Sequence, residues 1–475
     1  MFRCFWGIVR ACGFGILLFV MGCQGFYPQL NDYVLENSFE QSSIKWLALE
    51  NANVVDVVSG KVTPSQRLLI HNGKIADVQA MSYKLSQQMV RIIDVKGAYV
   101  LPGLIDMHVH PYSRNALALA LAHGVTHVRV MNGVEQHLQW RDELQKNLWL
   151  GSDMTVSSPI MEQDSPENPA RPMTWGVSSP EQAKAFVELA KAQGFDLIKA
   201  YGGLSAENLQ AVVKIANELA MPVAKHAPHP PRGAEWDLLQ DMQSLEHMED
   251  IFQGPLNFKQ DDKALQAVIQ KLVELNVPVT PTLSIFWQLT QISVQKQRFV
   301  SGLPEGYVSP IIAWEESHNQ VQRWLQSSEE QARFNEHELA YLQNITRQLY
   351  QAGVPLLVGS DSGVLLAPHG LATLKEMSLM QDAGVPATSV VYAATLGAAK
   401  ALGKSATMGS IEPGKKADLI VVQQNPLDDV NALSELNGVV KEGDWLPKSE
   451  LESLISKARD EYNLLSELLL IMSNY

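Results

Sequence analysis

Cysteine is almost absent from this chain, and the few that occur are confined to one end. The 475 residues hold three, Cys4, Cys12 and Cys23, and none after residue 23. Past that point no disulfide can form and no thiol can serve as nucleophile or metal ligand. An excess of positive charge is missing too. Thirty-seven lysines and arginines stand against 51 acidic residues, a formal net charge of −14. That balance argues against a nucleic-acid partner, which needs a basic footprint. It says little about substrate, since net charge acts mainly on solubility. The N-terminal apolar run, Ala11 to Met21, is cut short by Arg10. It supplies about half of the roughly 20 residues a membrane span requires. Apolar residues still make up 46% of the composition, ample for a globular core.

What the sequence does hold is a series of ligand-type side chains at the ends of apolar runs. Tyr99-Val-Leu-Pro-Gly-Leu-Ile-Asp-Met-His-Val-His110 closes on His108 and His110. In an extended segment residues two apart share a face, so both imidazoles can reach one metal ion. Alone the pair is a weak signal, because two histidines this close arise by chance. Downstream, Phe195-Asp-Leu-Ile-Lys199-Ala-Tyr201 carries Lys199 and Met221-Pro-Val-Ala-Lys-His226-Ala-Pro-His229 carries His226. Gln243-Ser-Leu-Glu-His247 ends on His247, and Val354-Pro-Leu-Leu-Val-Gly-Ser-Asp361 ends on Asp361. Each follows a run that reads as a strand. Ligands delivered from the C-terminal ends of several strands are what a (β/α)8 barrel supplies. Imidazole and carboxylate suit zinc or another first-row divalent ion.

The pattern along the chain predicts an α/β fold, a (β/α)8 TIM barrel with a small composite β domain. Barrel strands are expected near 104–110, 125–131, 154–159, 196–201, 222–226, 243–247, 277–282 and 355–360, alternating with helical stretches. Pro180 to Gln193 is a crossover helix capped by Ser178 or Ser179, with Ala183, Phe186, Val187 and Ala190 at helical spacing. Asn72-Gly73 between two apolar runs predicts a β-hairpin. The organisation expected is a signal segment at 1–23, a tether at 24–44, a first part of the β domain at 45–100 and a barrel at 101–404. A second β part at 405–446 and a C-terminal amphipathic helix at 447–475 complete it. That helix should dock on the barrel and could also form a homo-oligomer contact. One loop is oversized: 284–335 holds Trp287, Phe299, Tyr307, Trp314 and Trp324. It reads as an active-site flap or as a peripheral insertion on the barrel wall.

The N-terminus runs in the order of a secretory signal: Arg3 and Arg10, an apolar stretch, then Gly22-Cys23. Val20-Met21-Gly22-Cys23 resembles a bacterial lipobox, which implies acylation of Cys23 and a lipid anchor in the membrane. Gln24 after it resembles the signal for an outer-membrane lipoprotein facing the periplasm. The plainer alternative is an uncleaved anchor.

From about Leu47 to Leu446 the sequence resembles the amidohydrolase superfamily, nearest its imidazolonepropionase-like and Xaa-dipeptidase (prolidase-like) members. The motifs that carry the resemblance are Leu101-Pro-Gly-Leu-Ile-Asp-Met-His-Val-His110, Gly124-Val-Thr, Asp196-Leu-Ile-Lys199, Leu245-Glu-His247 and Gly359-Ser-Asp-Ser-Gly363. To these add Ala394-Thr-Leu-Gly-Ala-Ala-Lys-Ala-Leu-Gly403 and Gly409-Ser-Ile-Glu-Pro-Gly-Lys-Lys-Ala-Asp-Leu-Ile-Val-Val422. The resemblance implies a β domain split around the barrel and two divalent metal ions, zinc above others. His108, His110 and Asp361 would hold the first ion, and His226 and His247 the second. Lys199, as a carbamate, would bridge them. Asp361 would be the general base and acid. Tyr201 and His229 are weaker candidates for substrate contacts. His123, His127 and His137 read as structural, with His127 standing where the family often has Thr. His318 and His337 read as surface residues, and His369 carries only a weak signal for the mouth. The expected activity is hydrolysis of a C–N amide bond in a dipeptide or an N-acyl amino acid. A cyclic-amide hydrolase or deaminase is the alternative, against which Lys199 weighs. A barrel that only binds ligand is the non-catalytic reading, set against a full complement of six ligand positions.

Overall fold

The computed structural model describes residues 46–83, 90–167, 169–171, 173–462, 464 and 467. The expected signal segment and tether, Cys23, and Leu465, Leu468 and Leu469 of the expected terminal helix lie outside the described residues.

Parallel strands covered on both faces should read as continuous apolar runs. In Leu104–Val109 and Val125–Val130 all twelve residues are buried, including the polar Asp106, His108, Thr126, His127 and Arg129. They pair in parallel with Asp153–Val156 as third strand. Ile198–Ala200, Val223–His226, Ser244–Glu246 and Val279–Thr280 continue the parallel series. Backbone hydrogen bonds join these two sheets into a ring. Asp196 N donates to Val156 O and Ser158 N to Leu197 O, both at 2.8 Å. On the far side Leu357 N donates to Val279 O (2.9 Å), Met107 N to Val358 O (2.9 Å) and Asp361 N to His108 O (2.8 Å). The eighth segment closes the barrel by isolated bridges, at Leu356 and Ser362, rather than as the regular strand expected over 355–360. Two strands were not anticipated. Ile160–Gln163 and Thr174–Val177 pair in parallel and extend the barrel mouth beside Ile198–Ala200.

The crossover helix Pro180–Gln193 follows its sequence signals. Ser179 Oγ accepts from Gln182 N, Pro180 opens the first turn, and Gly194 closes the helix in the left-handed region (φ 90°). Its buried stripe is Ala183, Val187 and Ala190.

The β domain is one sheet built from both ends of the chain. Trp46–Asp56 pairs antiparallel with Lys61–His71 and parallel with Val90–Asp94 and Tyr99–Pro102. Leu419–Val422 then joins Tyr99–Pro102 antiparallel, followed by Leu436–Lys441 and Asp444–Pro447. Asn72-Gly73 (φ 50° and 72°) and Glu442-Gly443 (φ 54° and 88°) both turn with positive φ, as two-residue hairpins require. The two turns abut. A Cβ on Gly73 would meet Glu442 O at 2.9 Å, and one on Gly443 would meet the Gly73 Cα at 2.9 Å.

An ion cluster clamps this sheet to the barrel. Asp153, at the start of the third barrel strand, lies 2.6 Å from Lys416 Nζ and 2.9 Å from Lys441 Nζ. Lys441 also reaches Asp418 at 3.1 Å, and Lys416 pairs with Glu442. Two ammonium groups thus satisfy the three carboxylates. The oversized loop is helical, with segments at Leu283–Gln295, Pro310–His318 and Gln320–Leu325 leading into the long helix Glu329–Gln351. Helix Lys448–Asp460 docks on the barrel helix Arg114–Ala122, where Asn115 Nδ2 donates to Ala458 O at 2.7 Å.

Candidate metal centre

A cavity of about 730 Å³ opens at the C-terminal ends of the barrel strands. His108, His110, Lys199, Tyr201, His226, His247 and Asp361 all line it. Seven of the eight sequence candidates therefore share one volume. His229 is not among the lining residues. Its Nδ1 lies 2.9 Å from Pro230 O, and its ring packs so closely on Gly254 that a Cβ there would meet Nε2 at 2.3 Å. A histidine three residues beyond a strand end is placed by its loop, and Pro228 and Pro230 turn this one aside.

Distances within the cluster suit shared coordination. Asp361 Oδ1 lies 2.9 Å from His110 Nε2 and 3.5 Å from His108 Nε2, and Asp361 Oδ2 lies 3.9 Å from His247 Nδ1. One atom each from His108, His247 and Asp361 fall within 4.8 Å of one another. His247, assigned by resemblance to the second ion, thus stands close to His108 and Asp361, which are assigned to the first. The His226 ring stands 4.2 Å from that of His247 and 4.2 Å from that of Tyr201, centroid to centroid. Its Nε2 lies 3.0 Å from Asp250 Oδ2.

Backbone strain collects here. His247 (φ 71°), Thr282 (φ 53°) and Asp361 (φ 54°) adopt left-handed conformations at three successive strand ends. Such conformations cost of order 1–3 kcal/mol each and persist where surroundings enforce them. Asp106 is one of the enforcing groups. Its buried carboxylate accepts from His108 N and Ser360 N, both at 3.0 Å, and from the Ser360 and Thr373 hydroxyls at 2.6 Å. It thereby ties the first strand to the segment carrying Asp361.

The ionisation states are those of a ligand set. Burial, reinforced by Lys199, pushes His108 down to about 4. Burial, with His226 and His108 alongside, holds His247 well below its ordinary value. Burial alone would raise Asp361, but His108, His110 and His247 outweigh it and keep the carboxylate ionised. Neutral imidazoles and a charged carboxylate are what a divalent cation binds. Beneath them His108 Nδ1 lies 3.0 Å from Glu246 Oε2. Glu246 is itself held ionised, since Arg129 and His108 overcome the effect of its burial. The Nδ1–H therefore donates to the carboxylate, and the Nε2 lone pair is left facing Asp361.

Lys199 is the odd member. It is 1% exposed, and its Nζ has no hydrogen-bond partner among the described residues. Burial lowers it to about 8, against the pull of Glu246. An orphaned ammonium is expensive to bury. A neutral amine open to carboxylation, beside a group of metal ligands, accounts for it. The donor set therefore fits the expected divalent ions.

Sequence reading missed four supporting residues. Arg129 crosses the barrel interior from the second strand and donates to Met107 O (2.7 Å), Ser244 Oγ (2.7 Å), Gln243 Oε1 (2.9 Å) and Glu246 Oε1 (2.7 Å). Its signal was an always-charged residue inside a strand expected to be buried on both faces, which must find a partner. Glu246, Asp250 and Asp106 adjoin ligands in the sequence, but nothing in the spacing showed which way they point.

Residues 99–446 match the amidohydrolase family. Among solved structures, a Xaa-Pro dipeptidase with bound methionine aligns with a TM-score of 0.64 and 22% identity, over 85% of this chain and 100% of that one. A bottromycin amidohydrolase aligns with a TM-score of 0.70 and 22% identity, over 87% and 91%. At these identities the likeness shows the fold. A dihydroorotase from Carboxydothermus hydrogenoformans is 39% identical over 64 residues, and that match spans only 14% of this chain and 14% of its own.

Proposed function

Because the chain belongs to the amidohydrolase family, we propose that it hydrolyses a C–N amide bond in a dipeptide-like or N-acyl-amino-acid-like substrate. The observation that carries this reading is the gathering of His108, His110, His247 and Asp361 beside Lys199, whose buried Nζ has no hydrogen-bond partner among the described residues. His108, His110 and Asp361 would hold one divalent ion, and His226 and His247 a second, zinc being the ion the donor set favours. Lys199, neutral and carboxylated by carbon dioxide with loss of one proton, would offer both ions an anionic oxygen. When bound, such ions supply hydroxide near neutral pH and polarise the substrate carbonyl.

The chain's own groups do the remaining work. Asp361, ionised and at the cavity floor, takes the proton of the attacking water and returns it to the leaving nitrogen. Glu246 fixes the tautomer of His108. Tyr201, its ring tilted against that of His226 and covered by Arg171 at 4.5 Å from its ring centre, borders the space for the substrate. Support for the location comes from the N-terminal sequence alone. On that pattern the enzyme is tethered in the cell envelope through acylated Cys23, and an intact Met1 in the mature protein would refute it.

The test is a hydrolysis screen of dipeptides and N-acyl amino acids with zinc-reconstituted protein, with and without bicarbonate. The reading expects turnover of members of these two classes that bicarbonate sustains. Turnover confined to cyclic amides or aminopurines would redirect it within the family, and no turnover of any amide would overturn it.

A further inference from the structure

The long helix Glu329–Gln351 closes one side of the cavity, and its register decides what it presents there. Gln331, Phe334, Asn335 and Glu338 all line the cavity. They recur at steps of three and four and so share one face. The polar members differ in how they are used. Gln331 Nε2 donates to Asn335 Oδ1 at 2.8 Å, and Asn335 Nδ2 donates to Ser293 Oγ at 3.0 Å. Glu338 is only 5% exposed, yet its Oε1 has no hydrogen-bond partner among the described residues.

We propose that Glu338 forms a cation subsite of this cavity, receiving an ammonium or guanidinium group of the substrate. The proposal rests on the hydrolase reading for the rest of that substrate, not for the subsite. Four observations support it. Glu249 lines the same cavity, so two carboxyls face one volume. The arginines that also line the cavity are engaged with other groups, Arg171 with Glu162 at 3.0 Å and with the Tyr201 ring at 4.5 Å, and Arg323 with the Trp324 ring at 4.9 Å. Burial raises the Glu338 carboxyl to about 7, opposed by a hydrogen bond with Gln253 and by no lysine or arginine. Finally, Phe334 and Phe258 line the cavity too, and aromatic faces suit a cation carried on an apolar stem. A buried carboxyl with a free oxygen needs either a proton or a counter-charge. A cation carried into the cavity by a ligand supplies that counter-charge. A free amino terminus or a basic side chain satisfies that description, and an N-acylated terminus does not.

Calorimetric titration of the purified full chain with benzylammonium chloride, against benzyl alcohol as its uncharged counterpart, tests the subsite without requiring turnover. Wild type should bind the ammonium at least tenfold more tightly than the alcohol. Glu338→Gln keeps the shape and removes the charge, and it should lose that preference. Glu338→Asp retracts the carboxylate by one methylene and should keep a reduced preference, so it serves if the first variant fails to fold. No binding of benzylammonium, equal affinity for the two probes, or a preference unchanged in either variant would overturn the proposal. A Glu338-dependent preference in a protein that hydrolyses no amide would sink the hydrolase reading and leave the subsite standing. Amide turnover without that preference would do the reverse.

Discussion

Arg129 offers the sharpest way to probe how the barrel interior supports the site, because it touches no part of the cavity. It is fully buried and paired with Glu246, also fully buried, at 2.7 Å. In Arg129→Met the side chain still fills space, but four acceptors lose their donor. The Glu246 carboxylate keeps only His108 and Ser244. Removing one partner of a buried ion pair costs about 3–5 kcal/mol. The entropy of unfolding, near 2.1 cal/mol/K per residue, comes to about 1 kcal/mol/K for a chain of 475 residues. The melting temperature should therefore fall by about 3–5 °C in differential scanning calorimetry. Zinc affinity should fall by about 10–100-fold, the usual effect of disturbing a ligand's supporting hydrogen bond. Arg129→Met combined with Glu246→Gln removes the orphaned charge, so the double variant should be more stable than the two single losses added together. A single variant that melts within 1 °C of wild type, or a double variant whose loss is strictly additive, would refute the reasoning.

Other outcomes follow from the same geometry. Lys199→Ala should lose one ion per chain and nearly all activity, and short carboxylic acids should restore part of both. Full metal content and rate in the mutant, read by elemental analysis and initial rates, would exclude a bridging role. Asp361→Asn keeps the shape but not the base, so its rate should drop by about 10²–10⁴-fold with the fold intact. Wild-type turnover at matched metal content would assign the proton to another group. Burial alone would raise Asp153, but Lys441 and Lys416 outweigh it and hold the carboxylate well below its usual range. A depressed folded-state pKa contributes stability that is present above the unfolded value, near 3.8, and is lost as pH falls towards the folded one. The melting-temperature advantage of wild type over Asp153→Asn should accordingly be full at pH 6 and shrink below about pH 4. An advantage constant across that range would mean the clamp is not ionic.

The barrel was legible because its strands are short apolar runs with ligand-type residues at their ends, and both faces of such strands are buried. Asn72-Gly73 was legible because few other residue pairs accept positive φ twice in succession. The closing strand was not. Val354 to Ser360 is as apolar as its neighbours, yet it closes the ring through single bridges near a left-handed Asp361, and composition carries no trace of that. Ile160–Gln163 and Thr174–Val177 were missed because neither sits in an apolar run: Glu162, Gln163 and Thr174 interrupt them, and each is only four residues long. The ligand histidines could be found by position at strand ends. Glu246, Asp250 and Arg129 could not, because their roles depend on contacts across the barrel, between residues more than a hundred apart for Arg129 and Glu246. His229 shows the converse: a suitable residue type near a ligand in sequence, turned aside by its loop.

The central claim is that His108, His110, Lys199, His226, His247 and Asp361 hold divalent ions at one point of the barrel mouth. Anomalous X-ray diffraction at the zinc edge, on crystals grown with zinc and bicarbonate, tests it most directly. The account predicts two anomalous peaks among these six side chains and electron density for a carboxyl group continuing from Lys199 Nζ. No peak within bonding distance of His108, His247 and Asp361 would contradict it.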